Sequence, residues 1–273
     1  MQRKNIIAVL RPFSLSDMHD DAFFFSFFFD GKPIADISCG DISCALSARN
    51  AGDMDVRETE RRNAFLQRIG VDPTKTYACS QTHSHNVAFA DCGHSGGILY
   101  DADGLASGAS DGAVNMYLSV TVADCLPVYM FDMETGAFSV VHSGWKGTGI
   151  VLNALKSMNV DAHPETVCAV LGPCICGDCY HVDEDRRRVF EAQFGCEARG
   201  SSVEYPLGGV VKGDCLDLKA ANAALLANAG VRNIAYCENC TFTDERLGSF
   251  RREGKNFTKM MAVIGRGCHV HAL

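Results

Sequence analysis

The sequence predicts a single α+β domain spanning residues 1–273. Three observations carry that expectation. Strand-like and helix-like segments are interspersed without a regular βαβ period, nothing repeats internally, and no Pro/Ser-rich linker divides the chain. At 273 residues, 47% of them hydrophobic, the chain can bury a large core, which excludes disorder.

The elements follow in order. The opening residues MQRKNIIAVLRPF hold an apolar run of about six residues before Arg11 and Pro12 break it, a short strand and not a signal peptide. Residues 22–38 read as a hairpin, with aromatic residues 22–29, turn chemistry at Asp30-Gly31 and a return over 33–37. Their apolar run is far shorter than the roughly 20 residues of a membrane helix, so nothing is expected to span a bilayer. Asp55 and Glu58 have capping-box spacing before a surface helix over 56–69, closed by Gly70. The glycine-rich stretch 93–112 reads as one long loop. Apolar, β-branched runs at 114–122, 126–131 and 137–141 predict adjacent strands. Thr148 is placed to cap a helix ending at Met158, 167–171 reads as a strand, and 183–194 as a helix. Residues 217–229 form an alanine-rich helix ended by Gly230, and 260–264 a last strand.

A formal net charge of −8 with no long Lys/Arg run argues against a nucleic-acid or anionic-membrane surface and favours a small-molecule partner. Fourteen cysteines without an export signal are expected to be mostly buried thiols of a cytoplasmic protein.

Three segments combine reactive side chains with small neighbours: Gln81-Thr82-His83-Ser84-His85, Ala123-Asp124-Cys125-Leu126-Pro127, and the run from Val141-His142-Ser143-Gly144 through Trp145-Lys146-Gly147-Thr148-Gly149. Two imidazoles and a thiolate, His83, Cys125 and His142, suit zinc with its fourth position open for water or substrate, and they equally suit copper. A metal-free alternative pairs a Cys125 thiolate with His142 as base. The turn at 144–149, with Lys146, has the composition to present N–H groups and a cation to an anion. Cys174, Cys176 and Cys179 resemble a metal loop, but no second Cys/His pair at close spacing completes it, so buried thiols are expected. Cys237 and Cys240 form a Cys-x-x-Cys without the following helix signal of a redox centre. Ser249-Phe250-Arg251-Arg252 sets two cations beside a hydroxyl, for phosphate or as solvated surface.

Together these segments resemble the YfiH-like, or laccase-domain, family, also called the multicopper polyphenol oxidoreductase or purine nucleoside phosphorylase family. The likeness rests on residues 81–83, Asp111-Gly112, 123–127, 142–148, 172–180, Cys240-Thr241 and 249–252, with the ADCLP and HSGWKGT runs the most specific. The resemblance implies a single α+β domain of layered mixed sheets flanked by helices (YfiH/CNF-like), and a zinc on His83, Cys125 and His142. It also implies phosphorolysis of adenosine, inosine, guanosine or methylthioadenosine to base and sugar 1-phosphate, with adenosine deamination as a further reaction. Under it, Gln81, Asp124, Lys146, Ser249 and Arg251 become substrate and phosphate contacts. Two departures stand out: residues 37–43 carry no Arg where relatives have a Thr-Thr-Arg-x-Gly-Gly type segment, and Thr258-Lys259-Met260 replaces a Gly-Arg-Met-like ending. The competing readings are a copper polyphenol oxidase, a metal-free Cys–His hydrolase, and a binding protein with a structural metal. The oxidase needs several His-x-His pairs, and only His83 with His85 and His269 with His271 fit.

Overall fold

The computed structural model describes residues 8–15, 22–25, 28–29, 32–33, 42–47, 49, 56–91, 96–99, 101–108, 116–200 and 209–266. Asp55, the Asp30-Gly31 turn, Asp111-Gly112, residues 37–41 of the segment lacking Arg, and the His269/His271 pair lie outside these residues.

Two mixed sheets stack face to face. One has seven strands, ordered Val9–Phe13, Asn233–Cys237, Val167–Leu171, Leu126–Asp132, Phe138–Ser143, Gly104–Ser107 and Val87–Phe89. The other has six: Ala22–Phe25, Ile42–Ser47, Met260–Arg266, Tyr117–Val122, Thr76–Cys79 and Ile98–Leu99. Pro12, which lacks an N–H, is accommodated because its strand lies at the sheet edge, parallel to Asn233–Cys237.

Burial explains the continuous apolar runs in the sequence. Along Leu126–Asp132, Leu126, Val128 and Met130 pack against the helices Ile150–Ser157, Glu184–Gly200 and Leu218–Ala229, while Tyr129 and Phe131 pack toward the second sheet. A strand covered on both faces has no polar alternation to display. In Met260–Arg266, Met260, Ala262 and Ile264 join the inter-sheet core, whereas Met261 and Val263 meet Phe65, Leu66 and Ile69 at the Val56–Arg68 helix. The order of layers is therefore helix, sheet, sheet, helices, an α+β fold.

Several local expectations agree with the coordinates and several do not. The Leu218–Ala229 helix starts where the Asp217 side chain accepts from the Ala220 N–H and stops at Gly230, whose φ of 107° no side chain adopts comfortably. The Phe28–Phe29 and Lys32–Pro33 strands pair as a hairpin, but Ala22–Phe25 pairs with Ile42–Ser47 instead. Within the presumed long loop lie two strands, Ile98–Leu99 and the wholly buried Gly104–Ser107. Thr148 does not cap the Ile150–Ser157 helix: Gly149 takes that position at φ 105°, and the Thr148 hydroxyl donates to the Gly144 carbonyl at 2.9 Å. The three apolar runs are not all neighbours either. Leu126–Asp132 and Phe138–Ser143 pair, but Tyr117–Val122 belongs to the other sheet. Residues 123–125 are thus the crossing between sheets.

Candidate metal centre

Cys125 ends that crossing, and its backbone is set by Asp124, which adopts φ 77°. A left-handed aspartate costs on the order of 1 kcal/mol, and three contacts hold it. Thr241 donates its hydroxyl to Oδ1 at 2.6 Å, the Arg251 N–H donates to Oδ2 at 2.7 Å, and the Asp124 carbonyl accepts from the Ile175 N–H at 3.0 Å.

His142 lies one residue before the end of Phe138–Ser143, and His83 on the loop after Thr76–Cys79. One residue that the sequence reading passed over joins them. Asp103, fully buried, accepts from the N–H groups of Thr82 (3.0 Å), His83 (2.9 Å) and Ser84 (2.6 Å), from the Ser84 hydroxyl (2.8 Å), and from His142 Nδ1 (2.9 Å). Burial alone would raise its pKa, but the imidazole and these donors outweigh it and hold the carboxyl well below the usual range. A carboxylate at Nδ1 fixes one proton there, so that Nε2 of His142 is the nitrogen left to bind a metal once it gives up its own proton. The same hub supports His83 at φ 62°, an otherwise unfavourable backbone for a histidine.

The result is convergence: one ligand atom from each of His83, Cys125 and His142 lies within 4.8 Å of the other two. The two imidazoles meet edge to face, centroids 4.8 Å apart at 79°. Gly144 makes the approach possible, because a Cβ there would come within 2.9 Å of Cys125 Sγ and 3.3 Å of His83 Cδ2. Burial pushes the Cys125 thiol up, yet His142 and His83 beside it bring it down to about 6. Burial pushes His142 down, and the Cys125 thiolate and Asp103 raise it to about 9. Tetrahedral zinc, with bonds of about 2.0–2.3 Å, sets ligand separations of about 3.3–3.8 Å, so small side-chain adjustments suffice. The donor set, its carboxylate-braced histidine and the favoured thiolate all fit a metal ion. His83 is exposed while His142 is buried, which leaves the centre open on one side.

The remaining predicted contacts divide into two groups. Gln81 is engaged within the protein: its Nε2 donates to the Thr121 carbonyl at 2.9 Å, and its Oε1 accepts from the Thr121 N–H at 2.7 Å. Ser249 is buried and caps the Phe250–Glu253 turn, its hydroxyl accepting from the Arg252 N–H at 3.1 Å. Asp124 is held as described. The polar atoms of these three are engaged inside the fold. Arg251 and Lys146 lie elsewhere. Arg251 stacks its guanidinium 4.9 Å from the Tyr180 ring centroid and donates to the His181 carbonyl at 2.6 Å. Lys146 is exposed, 5.6 Å above the Trp145 ring, which Arg186 covers at 4.7 Å. The Tyr180 hydroxyl is raised to about 12, first by burial and then by the nearby Cys125 thiolate, so it keeps its proton. A cavity of about 480 Å³ lined by His85, Asn86, Asp101 and Asn153 lies beside this region and includes none of the three converging residues.

Comparison with known proteins shows the family. Residues 40–267 match the family profile described as multi-copper polyphenol oxidoreductase laccase. A purine nucleoside phosphorylase of Corynebacterium glutamicum is 32% identical over 232 residues, covering 82% of this chain and 84% of the relative. Adenosine deaminase RL5, from an unknown prokaryotic organism, is 30% identical over 224 residues, covering 76% and 82%. YlmD from Geobacillus stearothermophilus shares the fold at a TM-score of 0.72 and 22% identity, over 93% of this chain and 99% of that one. With more than four-fifths of its length matched by one profile, the chain belongs to the multi-copper polyphenol oxidoreductase laccase family.

Proposed function

We propose that the chain is one catalytic domain, a zinc-dependent purine nucleoside phosphorylase that also deaminates adenosine, with His83, Cys125 and His142 as its metal ligands. The observation that carries the reading is the convergence of these three side chains around an Asp103-braced His142, beside a rim of cations on aromatic rings, Arg251 on Tyr180 and Arg186 on Trp145. Relatives named purine nucleoside phosphorylase and adenosine deaminase supply the reaction class. When bound, zinc supplies Lewis acidity and lowers the pKa of water toward about 7. The chain's own groups do the rest. Asp103 orients His142. Arg251, Arg186 and Lys146 offer positive charge to phosphate at one side of the ribose. The protonated Tyr180 hydroxyl can donate to a developing negative charge near Cys125. Gln81, Asp124 and Ser249 act by holding the loops in place.

Zinc is favoured over copper oxidase chemistry because, among the described residues, the metal-type clusters are one His/Cys/His group, one three-cysteine group and one His/Asp/Cys group, with no histidine-rich cluster suited to several coppers. Incubating the protein with adenosine, with and without phosphate, and separating the products chromatographically tests the reading. Phosphate-dependent adenine and ribose 1-phosphate are expected, with inosine in the absence of phosphate. Oxygen-dependent oxidation of a phenol with no nucleoside product would replace the reading with the oxidase one.

A further inference from the structure

A second cluster of metal-ligating side chains lies outside this centre. Cys176 and Cys179 sit on the loop after Val167–Leu171, and Cys240 follows the Asn233–Cys237 strand; their sulfur atoms all lie within 4.8 Å of one another. The partner that the Cys-x-x-Cys at 176–179 lacks in its own neighbourhood is therefore supplied by a residue 61 positions further along the chain than Cys179, across two adjacent parallel strands.

Backbone amides face two of the three sulfurs. The Cys176 N–H donates to Cys240 Sγ at 3.3 Å, and the amides of Phe242 and Thr243 also face that sulfur. The Asp178 amide faces the Cys176 sulfur in the same way. The turn is closed by N–H groups of Cys179 and Tyr180, which donate to the Cys176 carbonyl at 3.0 and 3.1 Å. Amides aimed at sulfur are the outer-shell hydrogen bonds that orient metal thiolates, and sulfurs 61 and 64 positions apart in the chain are brought together either by a shared ion or by a shared core. A shared core is the weaker account, because Cys176 and Cys179 are only partly buried and Cys176 and Cys240 border a cavity of about 290 Å³.

We propose that Cys176, Cys179 and Cys240 hold a second metal ion, a thiophilic divalent cation of the zinc class, with its fourth position open toward that cavity. Three thiolates about a divalent ion leave one net negative charge, and the buried Lys219 lines the same cavity, whereas Lys212 there is paired with Asp178. Binding releases the thiol protons to solvent and involves no change of oxidation state. The ion clamps the 174–180 loop to the 237–243 loop. These same segments hold the left-handed Asp124: Ile175 donates to its carbonyl, and Thr241 to its carboxylate. The second ion is thus a brace behind the backbone of Cys125, whatever reaction the first centre performs.

The test uses a Cys125→Ala protein, in which the first centre is removed, loaded with cobalt(II). One cobalt per chain and a near-ultraviolet thiolate-to-cobalt charge-transfer band are expected. Both should be lost in Cys125→Ala/Cys240→Ser and kept in Cys125→Ala/His181→Ala, which removes the neighbouring His181–Asp214–Cys215 group. Absence of bound cobalt in Cys125→Ala overturns the proposal without reference to any further variant, so misfolding of Cys240→Ser cannot rescue it. Survival of the band in the Cys240→Ser variant, its loss in the His181→Ala variant, or a Cys176–Cys240 disulfide in protein purified without reductant would overturn it equally.

Discussion

Replacing Asp103 by Asn separates the shape of the carboxylate from its charge. In the native protein six donor atoms reach its two oxygens within 3.4 Å, three of them backbone N–H groups and one the His142 imidazole. An amide offers one acceptor and one NH₂. If the oxygen faces His142 and His83, the NH₂ confronts the N–H groups of Thr82 and Ser84. If the amide flips, His142 Nδ1 must become an acceptor, and the proton moves to Nε2, where a metal would bind. Hydrogen bonds to a charged group contribute about 1.5–3 kcal/mol each, and breaking a buried charged network costs about 3–5 kcal/mol, so a stability loss of that order is expected. Metal affinity should fall about 10–100-fold, the usual effect of losing a ligand's carboxylate partner. The pH dependence has a definite sign. A carboxyl whose folded pKa is depressed stabilises the fold fully above the unfolded value near 4, and this contribution is lost as pH falls below it, so native protein and Asp103→Asn should converge in stability in acid. Urea denaturation at several pH values and a zinc competition titration read both effects. A variant within about 0.5 kcal/mol of the native protein at pH 7, with unchanged zinc affinity, would refute the assignment of Asp103 as the organiser of the centre.

Other substitutions test neighbouring steps. Gly144→Ala should leave the fold intact but weaken metal binding and activity about tenfold or more, because its Cβ would meet Cys125 Sγ at 2.9 Å; metal stoichiometry beside thermal melting separates the two. Arg252→Ala should lower stability by about 2–4 kcal/mol, since its guanidinium donates to the carbonyls of Thr241, Asp244 and Leu247, and Arg252→Lys should not restore it because a single ammonium cannot span them; denaturant midpoints decide. Arg251→Ala should raise the KM for phosphate about tenfold with a smaller change in kcat, as loss of a cation for the anion demands; initial rates at varied phosphate check it.

Much of the molecule was legible because local chemistry agreed with the fold. Asp217 and Gly230 bracket a helix by cap and left-handed stop, and Val167–Leu171 announces itself as a buried strand. His83, Cys125 and His142 stood out by ligand type, and the coordinates bring them together. What escaped depends on contacts remote in sequence. Asp103 lies in a glycine-rich stretch beside Asp101, and nothing local marks it as the residue that faces both histidines. Gly104–Ser107 is a short strand buried on both sides, with Leu105 its single large side chain, so it shows neither alternation nor β-branched bulk. The passage between sheets at 123–125 and the meeting of Cys240 with Cys176 and Cys179 are facts of topology, which spacing along the chain does not encode.

The most direct test of the central claim is phosphorolysis by metal-stripped protein during zinc add-back, followed as adenine released from adenosine and phosphate. Activity should fall at least about 100-fold on chelation, return with zinc, and stay absent in Cys125→Ala at any zinc concentration. Full activity in the stripped protein that is abolished by thiol alkylation would contradict the account and assign the chemistry to a metal-free Cys125–His142 pair.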